Sequence, residues 1–428
     1  MTSIVVADDW PQWMGPTRDG VLRETGLVDQ IPADGLKVNW RVPIQGGYSG
    51  PAVANGRVFV TDYEKTGGDS FNNPGKRVEL NGKERVLCFD AATGKEIWKH
   101  EYDCKYSISY PAGPRCTPTV DGDHVYTLGS EGDLICLVAA TGEVVWQRNF
   151  KTELKAPVPI WGHCAHPLVY GNKLICMVGG EGQTVVAFDK KTGKEIWKAL
   201  SATDAGYCPP CIVKAGGVDQ LLIWHPKSLN SLNPNDGSQY WEEPLAPQYG
   251  MSITRPQRDG DSLYVSGIGS KSMMLRLAAD KPAVEEVWVG EQKNSVYCGN
   301  STPVIVDGVI YGCDCQVGFM VAVDTKNGDR LWQSWEPTTK GTRRASHGTT
   351  FITKADNQFF LFSEKGDLII ADIDAKKYSE RGRFHVLEPT GECFGRDVLW
   401  SHPAYAAKQL FARNDKELVS VSLDAADY

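Results

Sequence analysis

The 428-residue sequence predicts an all-β fold, a ring of eight four-stranded antiparallel blades (an eight-bladed β-propeller), and three observations predict it. Trp98, Trp146, Trp197, Trp241, Trp288 and Trp332 recur at gaps of 48, 51, 44, 47 and 44 residues. A strand–turn–strand phrase precedes these tryptophans. The two chain ends supply complementary pieces of one unit. Repeats of about 40–50 residues mark stacked architectures, in which each unit buries its apolar face only against its neighbours.

The elements follow in order. Each tryptophan closes a phrase such as Ala92-Thr-Gly-Lys-Glu-Ile-Trp98, Ala140-Thr-Gly-Glu-Val-Val-Trp146 or Lys191-Thr-Gly-Lys-Glu-Ile-Trp197, with Asn235-Asp-Gly-Ser-Gln-Tyr-Trp241 a looser copy. Thr-Gly or Asp-Gly between apolar runs is a hairpin turn, because glycine supplies positive φ without steric cost. The upstream phrase reads Pro51-Ala-Val-Ala-Asn-Gly-Arg-Val-Phe-Val60 and Pro118-Thr-Val-Asp-Gly-Asp-His-Val-Tyr-Thr127, strand, turn and strand with period-2 alternation. A third strand, for example Leu134-Ile-Cys-Leu137, lies between the phrases and completes strands A to D of one blade. Eight A strands are expected after Pro51, Pro118, Pro167, Pro210, Pro256, Pro303, Gly348 and Pro403. Blades four and seven are degenerate; in seven, Phe384-His-Val-Leu387 stands in the place of the tryptophan strand. The last unit ends without a D strand, and Lys37-Val-Asn-Trp-Arg-Val42 supplies it from the other end, with Trp40 on the ladder. That closure removes a free sheet edge. The ladder itself is expected to pack between blades.

The organisation expected is therefore a residual signal-peptide stump at 1–7, an N-terminal extension at 8–36 and one propeller at 37–428. The propeller carries an insertion at 62–85 in the B–C turn of blade one. Val5 and Ala7 before Asp8 suit a cleavage site, so an exported protein, periplasmic or extracellular, is expected. No run of 18 apolar residues occurs, which argues against a membrane-spanning helix, and a net charge of −8 argues against nucleic acid. The expected partner is a protein or small molecule at the funnel face of a monomer. Export would permit disulfides among the twelve cysteines, with Cys104 and Cys116 the expected pair.

Blade order places D–A connections and B–C turns on one face, where residues before each strand A converge on the axis. Around the ring these include Tyr48, Arg115, Cys116, His163, Cys164, His166, Tyr207, Cys208, Arg255, Cys298, Asn300, His347, Trp400 and His402, with His225 nearby. His166, His347 and His402 are candidate transition-metal ligands, since imidazole suits such ions. The competing reading is a rim of side chains bonded to one another and to water. Cys208-Pro-Pro-Cys211 is followed by Ile212 rather than His, which excludes covalent haem, and it opens a strand, so inert thiols or a disulfide are expected. Gly179-Gly-Glu-Gly182 joins two strands and is no phosphate cradle. Of the rim carboxylates Asp314, Asp397, Glu131, Glu181 and Glu364, the three glutamates fall where solvated turns are expected.

With Ala-x-x-Thr-Gly-x-x-x-Trp as its signature, the repeat resembles the pyrroloquinoline-quinone (PQQ) type from Trp40 to Leu423. That repeat builds quinoprotein alcohol dehydrogenases and also the non-enzymatic scaffold of an outer-membrane assembly machinery. Asp9-Trp-Pro-Gln-Trp-Met-Gly-Pro-Thr-Arg-Asp-Gly20, Leu399-Trp-Ser-His-Pro-Ala-Tyr405 and Arg413-Asn-Asp-Lys-Glu-Leu418 are similar to exported assembly-factor-like or polyvinyl-alcohol-dehydrogenase-like proteins of planctomycete-like bacteria. The resemblance implies PQQ with Ca²⁺ on the axis, with Trp400 as stacking surface, Asn300 as amide ligand, and Arg115 and Arg255 as further cofactor contacts. The adjacent cysteine pair of many such dehydrogenases is missing here. Two functions follow: a binding or scaffold propeller acting through its irregular face, or a PQQ- or metal-dependent oxidoreductase of alcohols or polyols.

Overall fold

Eight sheets of four antiparallel strands succeed one another around a ring in the computed structural model, which describes residues 9–341 and 343–428. The expected stump at 1–7 lies outside the described residues. The A strands begin at Ala52, Thr119, Leu168, Cys211, Gln257, Val304, Thr350 and Ala404, one or two residues after each predicted start. Seven sheets are built from consecutive strands. The eighth joins Ala404–Ala406, Gln409–Arg413 and Glu417–Ser422 to Val38–Pro43 from the other end of the chain. B and C strands are buried on both faces, as in Gln409–Arg413 and Val185–Asp189, because each sheet is sandwiched between two others.

The tryptophans bind blade to blade. Trp98 Nε1 donates to Ala139 O of the next blade at 3.0 Å, and Trp40, Trp146, Trp288 and Trp332 do the same to Ala91, Lys190, Thr325 and Asp374. Each receiving carbonyl lies in or beside the C–D turn of the next blade. The Thr-Gly phrase now has a second reason: Gly142 has φ +74°, and a Cβ there would stand 2.5 Å from the Trp98 ring. One glycine thus makes the turn and leaves the seat for the neighbouring indole. The C–D turn of blade five, Ala278-Ala-Asp-Lys-Pro-Ala283, has no glycine, and there Trp241 turns back to its own blade, donating to Gln220 Oε1 at 2.7 Å. Blade seven has no tryptophan. Its D strand is Tyr378–His385, which runs earlier than the 384–387 segment expected, and Phe384 packs on Gly35 instead.

The blade-one insertion is largely regular. Strands Arg57–Gly67 and Val78–Asp90 pair without interruption through Asp62↔Arg85, and the ladder reaches Gly67↔Asn81. Fully buried Asp62 anchors the hairpin: it accepts from Arg85 Nε and Nη2 at 2.7 Å each and from the Gln45 amide at 2.7 Å. Removing one partner of a buried pair strands the other. Arg85→Met is expected to lower stability by about 3–5 kcal/mol in urea denaturation, with Arg85→Lys between the two.

The N-terminal segment is no loose arm. Trp10 exchanges two backbone hydrogen bonds of 2.8 Å with Val53, Pro11 O accepts from Val120 N, and Lys354 N donates to Gly20 O. Val21–Leu22 then pairs in parallel with Thr350–Ala355 of blade seven. Residues 10–22 therefore touch the A strands of blades one, two and seven. Arg18 reaches the carbonyls of Pro167 and Pro210 before the A strands of blades three and four, so the segment lies across the axis.

All twelve cysteines are free thiols. The expected Cys104–Cys116 pairing is not formed, because the two belong to different cores. Cys104 sits under the blade-one hairpin with Tyr63 and Tyr106, whereas Cys116 packs between blades two and three with Leu174 and Cys176.

Candidate functional site: a blind aromatic funnel

The D–A connections of the eight blades enclose a funnel of about 790 Å³ on the ring axis. Its floor is Trp13, delivered by the segment that crosses the axis. Two elements reach over the rim: Pro74 and Gly75 at the tip of the insertion, and Cys393 and Phe394 on a hairpin of Gly391–Cys393 and Arg396–Val398. Asn72 Nδ2 donates to Glu392 O at 2.8 Å and ties the two together. Tyr48, Tyr110, Trp161, Tyr207 and Trp400 supply the wall, and Tyr249 and Phe394 stand exposed at the mouth.

Of the residues expected at the site, Arg115, Asn300, Trp400, His166, His347 and His402 line the funnel. Arg255 does not; it is buried beneath the wall, with its amide donating to Thr302 Oγ1. Cys116, Cys208 and Cys298 are buried in inter-blade clusters, leaving Cys164 as the one thiol of that expected set on the wall. His163 turns away to meet Phe150 edge-on at 5.4 Å.

The three imidazoles share the funnel without converging on a point. His166 Nδ1 accepts from Thr117 N at 2.9 Å, and its ring stacks on Trp13 at 4.9 Å. His402 meets Trp13 edge-on and lies 4.0 Å from the Phe351 ring, while His347 Nδ1 pairs with Asn300 Oδ1 at 2.7 Å under Phe394. Burial lowers the pKa of His402 to about 3 and of His347 to about 4. For His166 burial is joined by the charge of Arg18, and its pKa falls well below the usual value. All three are neutral at pH 7. Among the described residues, three potential ligand atoms come together only at Glu84, Cys104 and Asp133, under the blade-one hairpin. There Glu84 already accepts from Tyr106 at 2.5 Å, from Tyr102 and from the Ser130 amide, and burial raises the pKa of both acids.

Among the described residues, no aspartate or glutamate lines the funnel. Glu131 and Glu364, expected in solvated turns, are buried: Glu131 accepts from Ser107 N and Lys151, and Glu364 accepts from Arg396 Nε at 2.8 Å. The resemblance implies Ca²⁺, a hard cation that takes carboxylate and amide oxygens. Asn300 is present, but its Oδ1 is engaged by His347 and no carboxylate stands beside it. A quinone tricarboxylate would meet Arg115, whose guanidinium is committed to the carbonyls of Ser109, Tyr110 and Gly113. These residues do not fit a Ca²⁺–quinone centre.

What the wall can do is stack rings, offer neutral imidazole and hydroxyl groups, and exclude water at a closed end. The sequence reading missed Trp13, Tyr110, Trp161, Tyr249 and Phe394. Trp13 lay in view within the Asp9–Gly20 phrase, but its place on the axis depends on how that segment crosses the ring.

Eight blades, seven of them with a ladder tryptophan, around one axial funnel define the class as a PQQ-repeat β-propeller. The chain belongs to that family: the family model described as outer membrane protein assembly factor BamB matches residues 82–297. Among solved structures, BamB from Moraxella catarrhalis is 15% identical with a TM-score of 0.59, covering 90% of this chain and 97% of that one. The quinohemoprotein alcohol dehydrogenase from Comamonas testosteroni is 13% identical with a TM-score of 0.59, covering 97% and 80%. A europium-containing methanol dehydrogenase is 12% identical with a TM-score of 0.62, covering 97% and 89%. At these identities the likeness is one of fold. No curated protein sequence matches the chain.

Proposed function

We propose that this protein is an exported binding propeller whose funnel captures a small, ring-shaped organic ligand. The observation that carries the reading is the funnel itself: about 790 Å³, walled by aromatic rings, with Trp13 for a floor and, among the described residues, no carboxylate on its lining. Pockets of this size with a few placed polar groups are the usual form of small-molecule sites. The solved relatives divide between an assembly factor and alcohol dehydrogenases. The empty carboxylate inventory of the wall favours binding over Ca²⁺–PQQ chemistry. No helix among the described residues is long and apolar enough to cross a membrane, which is compatible with export.

Tryptophan fluorescence titrated with neutral sugars, aromatic alcohols, aromatic acids, and PQQ with and without Ca²⁺ tests this reading. Saturable binding of a ring compound that weakens about two- to tenfold in Trp400→Ala is expected, the loss of one stacking partner being worth about 0.5–1.5 kcal/mol. Binding restricted to PQQ, dependent on Ca²⁺ and followed by dye-linked alcohol oxidation, would replace it with the oxidoreductase reading. A flat response to every compound, with a protein recovered on the rim instead, would leave a scaffold.

A further inference from the structure

Beneath the funnel floor lie two arginines without a counter-charge. Arg18 and Arg255 are 3% and 8% exposed, and neither has a carboxylate within ion-pair distance among the described residues. Four other secluded arginines are paired, Arg85 with Asp62, Arg330 with Asp314, Arg383 with Asp367 and Arg396 with Glu364. Fully buried Arg413 instead donates to the carbonyls of Asn414, Thr61 and Gln45, and has the charges of Asp415 and Asp62 near it without an ion pair. Arg18 donates only to neutral groups, the carbonyls of His166, Pro167 and Pro210 and the Gln12 amide oxygen. Arg255 Nε has no partner at all, and the hydroxyls of Ser301 and Thr117, both on the funnel lining, are likewise unpartnered.

The pair is charged. Guanidinium does not lose its proton in proteins under ordinary conditions. Burial and the neighbouring charge of Arg255 lower the Arg18 pKa to about 9, which still leaves it protonated at pH 7. Taking an ion out of water without an opposite charge is strongly unfavourable, more so for two like charges together. The nearest internal candidate is the Cys211 thiol, but burial outweighs both guanidiniums there and keeps its pKa raised, so it remains neutral.

We infer that the Arg18–Arg255 layer is an anion site, which takes a small monovalent anionic group. That group comes either from a free inorganic anion or from the carboxylate end of the molecule in the funnel above. The first source stands without the proposed function; the second rests on it. The layer adjoins the floor directly: Arg18 holds the carbonyl of His166, whose ring stacks on Trp13, and the Arg255 amide holds Thr302 of the wall. With Arg115 on the wall and no carboxylate lining the funnel among the described residues, the interior is electropositive in a protein of net charge −8.

The full chain, exchanged into gluconate buffer at constant ionic strength, is titrated with chloride, formate, benzoate and benzamide. Thermal midpoint and tryptophan fluorescence are followed. A saturable rise of several degrees with chloride or formate is expected, together with at least tenfold tighter binding of benzoate than of benzamide if the ligand supplies the charge. Arg255→Gln should abolish the anion response and be at least as stable as the parent in gluconate, which a merely structural arginine would not show. Arg255→Lys, which keeps the charge, should retain part of it. Should either variant fail to fold, the anion response of the parent decides alone. Equal binding of benzoate and benzamide with no chloride or formate effect overturns the site and leaves the funnel reading intact. A chloride effect with neither ring compound bound supports the site and speaks against the funnel reading. A thiolate absorbance near 240 nm at pH 7 that vanishes in Cys211→Ser overturns the site by supplying the charge from within.

Discussion

Replacing Trp98 with alanine is expected to destabilise the ring by about 3–5 kcal/mol, the usual effect of removing a buried aromatic side chain. The indole is 8% exposed, lies 5.9 Å from the Phe59 ring, and spans the seam between blades one and two through its bond to Ala139. Its loss opens a cavity that two rigid sheets cannot close, and it leaves the Ala139 carbonyl without its donor. The reciprocal change tests the same seam from the other side. Gly142→Val forces a branched residue into φ +74° and its Cβ to 2.5 Å from the Trp98 ring, so a loss of comparable size is expected. Each is measured by urea denaturation. In the double variant the losses should fall short of their sum, because both remove one contact. Additive losses would show that the indole and the glycine act separately.

Acidification is the second large effect. The unfolded chain protonates histidine near pH 6.5. In the fold, burial holds His163 and His347 at about 4 and His402 at about 3. Between those values the unfolded state binds the protons, so the contribution is whole above about pH 6.5 and is lost as pH falls toward 4. Roughly 2 kcal/mol per histidine is gone by pH 5, at 1.36 kcal/mol for each pH unit. Glu84, Asp133 and Asp314 oppose this, since burial raises their pKa values and their fold-bound protons favour the native state in acid. The histidine effect is isolated by His402→Gln, which should reduce the slope of stability against pH by about one proton between pH 6.5 and 4. Parallel slopes in parent and variant would contradict it.

The fold was legible because its determinants are local and repeated. Thr-Gly and Asp/Asn-Gly turns, period-2 strands and a tryptophan in seven of the eight blades are each written within a few residues, and ring closure by Trp40 followed from counting strands. The degenerate blades were harder for the same reason. In blade four the partner of Trp241 depends on a missing glycine in the next blade, and in blade seven the D strand has no tryptophan to mark it.

Half of the site was legible and half was not, and the division has a physical cause. Residues just before each strand A must face the axis once the blades are in a ring, so Arg115, His166, Asn300, His347, Trp400 and His402 could be named from order alone. Direction and depth could not. His163 and Arg255 occupy equivalent positions yet point away from the funnel or lie beneath it. The floor came from Trp13 and the rim from Phe394, on segments with no repeat to register them. The sequence by itself determined the ring, its number of blades and the face where its irregular loops gather. Only the tertiary structure decided that the channel is blind, that its imidazoles are neutral, and that two arginines share one buried layer. Burial and charge compensation depend on which chain segments meet, and here those segments are separated by much of the chain.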